Sequence, residues 1–277
     1  MMFHDESPLE VRSLGSGSSG NALLISAGIT LVLVDCGVGS RALEAGVRGA
    51  GHSLTDVSAV LLTHEHADHS RSLPRLERAG VRVVATPGTA EAAGVSGALV
   101  DRIPIGPQVE VAGITVTALP VSHDAVEPCG FLIERQGVRV AVVTDLGCED
   151  DALLAPLAGA DLIVLEANHD ATMLRGGPYP LHLKRRVLSR TGHLSNEQCA
   201  GLLAAAFDGA PRARTIWLAH LSVTNNRPEL ARRAVARALA RQDIVHPIVP
   251  LPRQSVGPTW RAGEHQPAAV QLQMPLL

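Results

Sequence analysis

The sequence predicts an α/β protein built as a four-layer sandwich, with two mixed β-sheets packed face to face and helices on both outer surfaces. Three observations predict it. Short apolar strands come in two groups, each group is followed by helical segments, and ligand-type polar residues recur at strand ends rather than inside strands. A chain of 277 residues can bury such a core as one domain, expected over residues 1–250. The remainder, 251–277, is rich in Pro, Gln and Gly and is expected to be an irregular or disordered tail.

The elements follow in order. LEVRSL, NALLISA and TLVLVDCG read as three short strands with turn residues between them, and SRALEAGVRGA as a helix. DVSAVLLT, residues 56–63, has the β-branched and apolar content of a buried strand. SLPRLERAG is helical, VRVVAT is a strand, and Pro87 opens another helix. GITVTALPV, CGFLIERQG and VRVAVVTDLG form the second strand group. DLIVLEANHD is a strand with a polar end, LHLKRRVLSR a helix, and the Ser-Asn-Glu of HLSNEQCAGLLAAAF opens the next. RTIWLAH and PELARRAVARALAR close the series as strand and helix.

Composition narrows the class of protein. Hydrophobic residues make up 46% and charged residues 18%, whereas aromatics at 2% are scarce, so the core must be aliphatic. With 24 basic and 27 acidic residues the net charge is −3, and contact with a polyanion requires a local basic surface. Cys36, Cys129, Cys148 and Cys199 lie far apart without a CxxC pair, as in reduced thiols. MMFHDESPLE carries acids where a signal peptide needs bases, and no apolar run approaches the ~20 residues of a membrane span. The expectation is a cytoplasmic protein with no membrane partner.

LLTHEHADHS, residues 61–70, packs His64, His66, Asp68 and His69 into the end of a strand. Imidazole and carboxylate suit zinc, manganese or iron rather than thiolate-loving metals. Continued as a helix, the run would pair His64 with Asp68 and His66 with His69 on two faces, which suggests two metals. It is not HExxH, because Asp68 stands where the second histidine would be. VSHDAVEP then places His123 after GITVTALPV, VVTDLG ends a strand on Asp145, and IWLAHLS ends one on His220. A lone histidine is ordinarily a satisfied polar residue and a lone aspartate a helix cap, but four strands delivering ligands at the same terminal position point to one centre.

THEHADH, the later SHD, TD and AH stations, and their order resemble the metallo-β-lactamase superfamily over roughly residues 11–250. Within it, LGSGSSGN, DCGVGSR, SHDAVEPCGF, TDLG, EANHD, YPLHLKRRV, GHLSNEQ and HLSVTNNRPELA resemble the YycJ (WalJ) family of bacterial metallohydrolases and exonucleases. The resemblance implies two divalent metal ions, zinc or manganese. His64, His66 and His123 would hold one, Asp68, His69 and His220 the other, and Asp145 would bridge them. Dinuclear zinc β-lactamases carry a cysteine at the bridging place, so Asp145 argues against antibiotic hydrolysis.

The same resemblance assigns the substrate side. LGSGSSGN is similar to the small-residue loop of ribonuclease Z, which offers Ser16, Ser18, Ser19 and Asn21 as substrate contacts; read alone it is a tight turn, and no GK[ST] follows to make a P-loop. EANHD and GHLSNE resemble motifs of ribonuclease J-type nucleases, giving Glu166, His169 and His193 catalytic or supporting roles beside Asp68. Only about two dozen residues separate His169 from His193, too few for the capping domain of those enzymes. KRRVLSR, with Arg186 and Arg190 on one helical face and Lys184 and Arg185 beside them, is either a solvated face or a phosphate-binding patch. The expected function is a dinuclear metal-dependent phosphodiesterase or exonuclease acting on nucleic acid, DNA before RNA. The alternatives are a thioesterase like glyoxalase II and a metal-stabilised module that binds nucleic acid without cutting it.

Overall fold

Residues along each strand alternate between two apolar layers, which is what a sheet buried on both faces requires. A computed structural model describes residues 7–209, 212–240 and 245–264. The first sheet is built from β1 (Glu10–Gly15), β2 (Ala22–Ala27), β3 (Thr30–Val34), β4 (Ala59–Leu61), β5 (Arg82–Ala85) and β6 (Val100–Arg102). The second comprises β7 (Gln108–Val111), β8 (Ile114–Pro120), β9 (Cys129–Arg135), β10 (Val138–Val143), β11 (Leu162–Glu166), β12 (Thr215–Ala219) and β13 (Ile248–Pro250). The chain then returns to the first sheet as β14 (Thr259–Arg261), antiparallel to β1. Each sheet is antiparallel on one side and parallel on the other: β3 to β6 and β10 to β13 run parallel.

Val32 and Val34 of β3, Phe131 of β9, Val142 of β10 and Trp217 of β12 fill the layer between the sheets. Leu31 and Leu33 face outward onto α1 (Ser40–Gly49) and α3 (Leu73–Arg78), past α2 (Ala67–Ser70), with α4 (Pro87–Ala92) completing that side. Ala141 and Val143 face α5 (Leu154–Gly159) on the other side. There α6 (Ala171–Gly176) and α7 (Leu181–Val187) lead to α8 (Asn196–Phe207) and α9 (Pro228–Leu239). The four-layer sandwich expected from the sequence is therefore the observed fold. Phe131 has no exposed surface, and cutting it to Ala would cost about 3–5 kcal/mol in lost burial and cavity. Among the described residues no helix is long and apolar enough to cross a membrane.

Three expectations need correction. The helix after the ligand cluster begins only at Ala67, with His66 in extended conformation as its cap, so His64 and His66 are not on helical faces and the pairs at helical spacing do not form. Residues 251–264 are irregular except for β14, and they pack on the sandwich rather than trail from it. Trp260 lies opposite Val11 and is buried with Leu251, because the edge of β1 would otherwise leave backbone groups and apolar surface open. The expected tail beyond Glu264 lies outside the described residues. Finally α7 stops at Val187, so Arg190 does not share a helical face with Arg186.

Candidate metal centre

β3, β4, β8, β10, β11 and β12 all end at the same rim of the sandwich, and their C-terminal residues converge there. Three of those residues hold left-handed backbone without being glycine: Asp35 at φ 60°, Asp145 at φ 56° and His220 at φ 54°. Each such residue costs on the order of 1 kcal/mol, a strain found where a side chain must be aimed off a strand end. Gly37, after Asp35, permits the close approach of the ligand loop, since a Cβ there would lie 1.6 Å from the Asp68 carbonyl oxygen.

The seven expected ligands come together. Potential ligand atoms of His64, His66 and His123 lie within 4.8 Å of one another, as do those of Asp68, His69 and His220. Asp145 stands between: Oδ2 is 2.8 Å from His69 Nε2, and Oδ1 is 3.2 Å from His220 Nδ1 and 3.8 Å from His123 Nε2. The ring orientations fit metal ligation, in which the second nitrogen of a ligating histidine is held by a hydrogen bond. His69 Nδ1 is 2.7 Å from Asp35 Oδ2, His220 Nδ1 is 2.8 Å from Glu166 Oε1, and His123 Nδ1 is 3.0 Å from the Gly192 carbonyl. His64 Nδ1 contacts Thr63 Oγ1, and its Nε2 is buried with no hydrogen-bond partner. A nitrogen buried without a partner, facing a cluster of like donors, fits a cation.

Charges are arranged accordingly. Burial drives His64 well below the ordinary imidazole pKa and also lowers His123, which keeps both neutral as ligands must be. At His69 and His220 burial is the largest influence and opposes charge, but the carboxylates together outweigh it, Asp145 and Asp35 at His69 and Asp145, Asp68 and Glu166 at His220. The first is raised well above its usual range and the second to about 10. Asp145 is held well below the carboxylate range by His220 and His69 against its burial.

Glu166 does not touch the cleft. It is fully buried, its Oε1 accepts from His193 Nδ1 and His220 Nδ1, and its Oε2 accepts from the backbone N–H groups of Leu146 and Leu194. Against burial, the charge and hydrogen bond of His193 and the hydrogen bond of His220 take its carboxyl down to about 2. His193 lines the cleft, whereas His169 is 1% exposed and is not among the residues that line it. The expected catalytic pair of Glu166 and His169 is thus a positioning group and a buried ring.

The expected substrate contacts also separate. Ser16 is buried and its Oγ accepts from the backbone N–H of His220. Asn21 bonds both ways with Gly17, donates to the Asp68 carbonyl, and lies 3.0 Å from His69 Nε2. Both brace the centre rather than face solvent. Ser18 lines the cleft, and Ser19 is exposed with its carbonyl accepting from Arg71. Of the KRRVLSR cations only Arg186 lines the cleft, where Nε is 2.6 Å from Asp124 Oδ2. Lys184 turns back to the Arg175 carbonyl, and Arg185 and Arg190 are exposed.

Sequence reasoning missed Asp35, Thr63 and Asp124. Asp35 Oδ1 accepts from Thr63 N–H and Oδ2 holds His69, so it fixes the ligand loop from the neighbouring strand. Its signal was present: DCG follows TLVLV at the same terminal position as the recognised ligands.

Fold and site together define a metal-dependent hydrolase of metallo-β-lactamase type, and a family model described as the β-lactamase superfamily domain matches residues 30–220. Over most of its length the chain is similar to two relatives. Exodeoxyribonuclease YycJ of Bacillus anthracis is 38% identical over 235 residues, which are 82% of this chain and 87% of the relative. Exodeoxyribonuclease WalJ of Streptococcus pneumoniae serotype 2 is 34% identical over 239 residues, 83% of this chain and 88% of the relative. The chain belongs to the β-lactamase superfamily and, within it, to the family of these YycJ and WalJ proteins. The crystal structure of YhfI, a metallo-β-lactamase fold protein from Bacillus subtilis, superposes with a TM-score of 0.69 at 19% identity, covering 92% of this chain and 99% of that one, and so shares the fold.

Proposed function

We propose that the protein is a dinuclear metal-dependent phosphodiesterase that removes nucleotides from the ends of DNA. The observation that carries this reading is Asp145, a carboxylate rather than a thiolate, set between two groups of imidazoles in an open cleft. The names of the full-length relatives supply DNA and its ends as the substrate class.

His64, His66 and His123 would hold one divalent cation and Asp68, His69 and His220 a second, with Asp145 between them and zinc or manganese matching the donors. Bound there, such ions supply Lewis acidity toward a phosphoryl oxygen and acidify water near neutral pH. The protein's own groups do the rest. Asp68, partly exposed at the cleft floor, orients the attacking water by accepting its hydrogen bond. His193, with Nδ1 fixed by Glu166, turns Nε2 to the cleft, from which it donates to a phosphoryl or leaving oxygen. Arg186 and Ser18 receive the neighbouring phosphate at the rim. Glu166 positions two rings, and His169 takes no part in the reaction.

The test is an end-labelled substrate panel with metal-loaded protein, on single-stranded DNA, duplex DNA and RNA. Stepwise release of mononucleotides from DNA, with two ions per chain by elemental analysis, is expected. Asp145→Ala should abolish release while its circular dichroism stays that of the wild type. DNA binding without cleavage, or turnover confined to a small thioester, would overturn the reading.

A further inference from the structure

Aromatic residues are scarce here: one tyrosine, three phenylalanines and two tryptophans. Phe131, Phe207, Trp217 and Trp260 are buried in the core, and Phe3 lies outside the described residues. Tyr179 is the exception, half-buried at the wall of the ligand cleft. It stands between Pro178 and Pro180, and Pro180 caps α7 in extended conformation. Pro180 confines the backbone of Tyr179 to extended conformation and Pro178 fixes its own φ just before it, so the ring is presented from a stiff segment of chain.

Leu183 and Val187 line the cleft with it. Leu183 and Val187 are four residues apart on α7 and share one helical face, and Tyr179 lines the same cleft from the extended chain just before the helix. The cleft therefore pairs a floor of imidazoles and carboxylates with one apolar wall, and Arg186 stands at the edge of that wall. The floor's chemistry, water attack on a charged ester, has no use for an apolar face. A nucleotide has use for both, since its phosphate is polar and charged and its base presents a flat π surface.

We propose that Tyr179, backed by Leu183 and Val187, is the stacking platform for the base of the nucleotide being removed, and that the site consequently takes an unpaired base. The inference rests on the nuclease reading above. A paired end must therefore fray first: the terminal base of a duplex is held by its pairing partner and its inner neighbour, and drawing it onto the platform costs unpairing and unstacking energy. Stacking is indifferent to base identity, so the platform selects the state of the end and not its sequence.

The experiment uses the metal-loaded protein and strands that carry either adenine or an abasic residue at the attacked end. The wild type should show a KM about tenfold or more lower for the adenine end, the order expected of one base–aromatic stack. Tyr179→Phe should keep that preference. Tyr179→Ala should raise the KM for the adenine end toward that of the abasic end, with kcat changed far less than KM. A phosphorothioate strand ending in 2-aminopurine should be quenched on binding to the wild type and to Tyr179→Phe, and not to Tyr179→Ala. Equal KM values for the two ends in the wild type would overturn the platform alone and leave the nuclease reading intact. So would an equal loss on both ends in Tyr179→Ala. Failure of the wild type to cut either strand would overturn both.

Discussion

Glu166 Oε1 lies 2.8 Å from His220 Nδ1, and this contact decides that Nε2 is the nitrogen His220 turns toward Asp68, 3.3 Å away. The same oxygen holds His193, while Oε2 is filled by two backbone donors. Four donors on two acceptor oxygens leave a carboxylate no rival at this position.

Glu166→Gln tests that arrangement. A glutamine has the same shape but one acceptor oxygen, so its amide N–H₂ must confront either the two imidazoles or the two backbone N–H groups. We expect metal affinity to fall about 10- to 100-fold, as when the partner of a ligating histidine is lost, with a lower Tm as well. Metal retention against a graded chelator measures the first and thermal unfolding the second. Unchanged retention would mean that His220 is oriented by something other than Glu166.

His169 gives a pH signature from outside the candidate ligand set. Burial lowers its pKa from the ordinary 6.5 to about 4. Between those values the unfolded chain binds a proton that the folded chain refuses, so stability falls as pH drops from 6.5 and levels off below 4. The ceiling on this loss is about 3 kcal/mol. Urea midpoints at pH 7, 5.5 and 4 should fall more steeply for the wild type than for His169→Leu, which has nothing to protonate. Parallel slopes would place the acid sensitivity in other groups.

The fold and the candidate ligand cluster were legible for one reason: in this architecture both are written in strands. VRVAVVTDLG reads as a strand and announces Asp145 at its end, so finding the strand also finds the ligand. What the sequence hid depended on where the helix began. His64 and His66 sit in extended chain ahead of Ala67, and a spacing argument that assumes a helix there pairs the wrong residues. Asp35 was hidden because its role is to accept from His69, thirty-odd residues on, a contact that exists only once β3 and β4 lie side by side. β14 was hidden by its composition: the Pro, Gln and Gly of 251–277 read as a tail, and only the open edge of β1 makes Thr259–Arg261 a strand. The basic run misled in the opposite direction. Four neighbouring cations look like one patch, yet the chain turns after Val187 and leaves a single guanidinium at the cleft.

That guanidinium carries the last prediction. Arg186 Nε is 2.6 Å from Asp124 Oδ2, and Asp124 Oδ1 is 3.2 Å from His123 Nε2, so the arginine sits over an acid that itself borders the ligands. Although burial opposes it, Arg186 lowers the Asp124 carboxyl, which stays charged at neutral pH. Removing Arg186 therefore acts twice, by deleting a phosphate contact and by uncovering a negative charge beside the cleft. Arg186→Gln should weaken oligonucleotide binding and flatten the dependence of log K on log salt by about 0.7 for a single strand, the contribution of one phosphate contact. Arg185→Gln and Arg190→Gln, exposed away from the cleft, should leave the slope closer to that of the wild type. Adding Asp124→Asn to Arg186→Gln should restore part of the affinity without restoring the slope, because it removes the repulsion but supplies no cation. Affinity and slope unchanged in Arg186→Gln would reduce the pair to a solvated surface ion pair, which contributes little by itself.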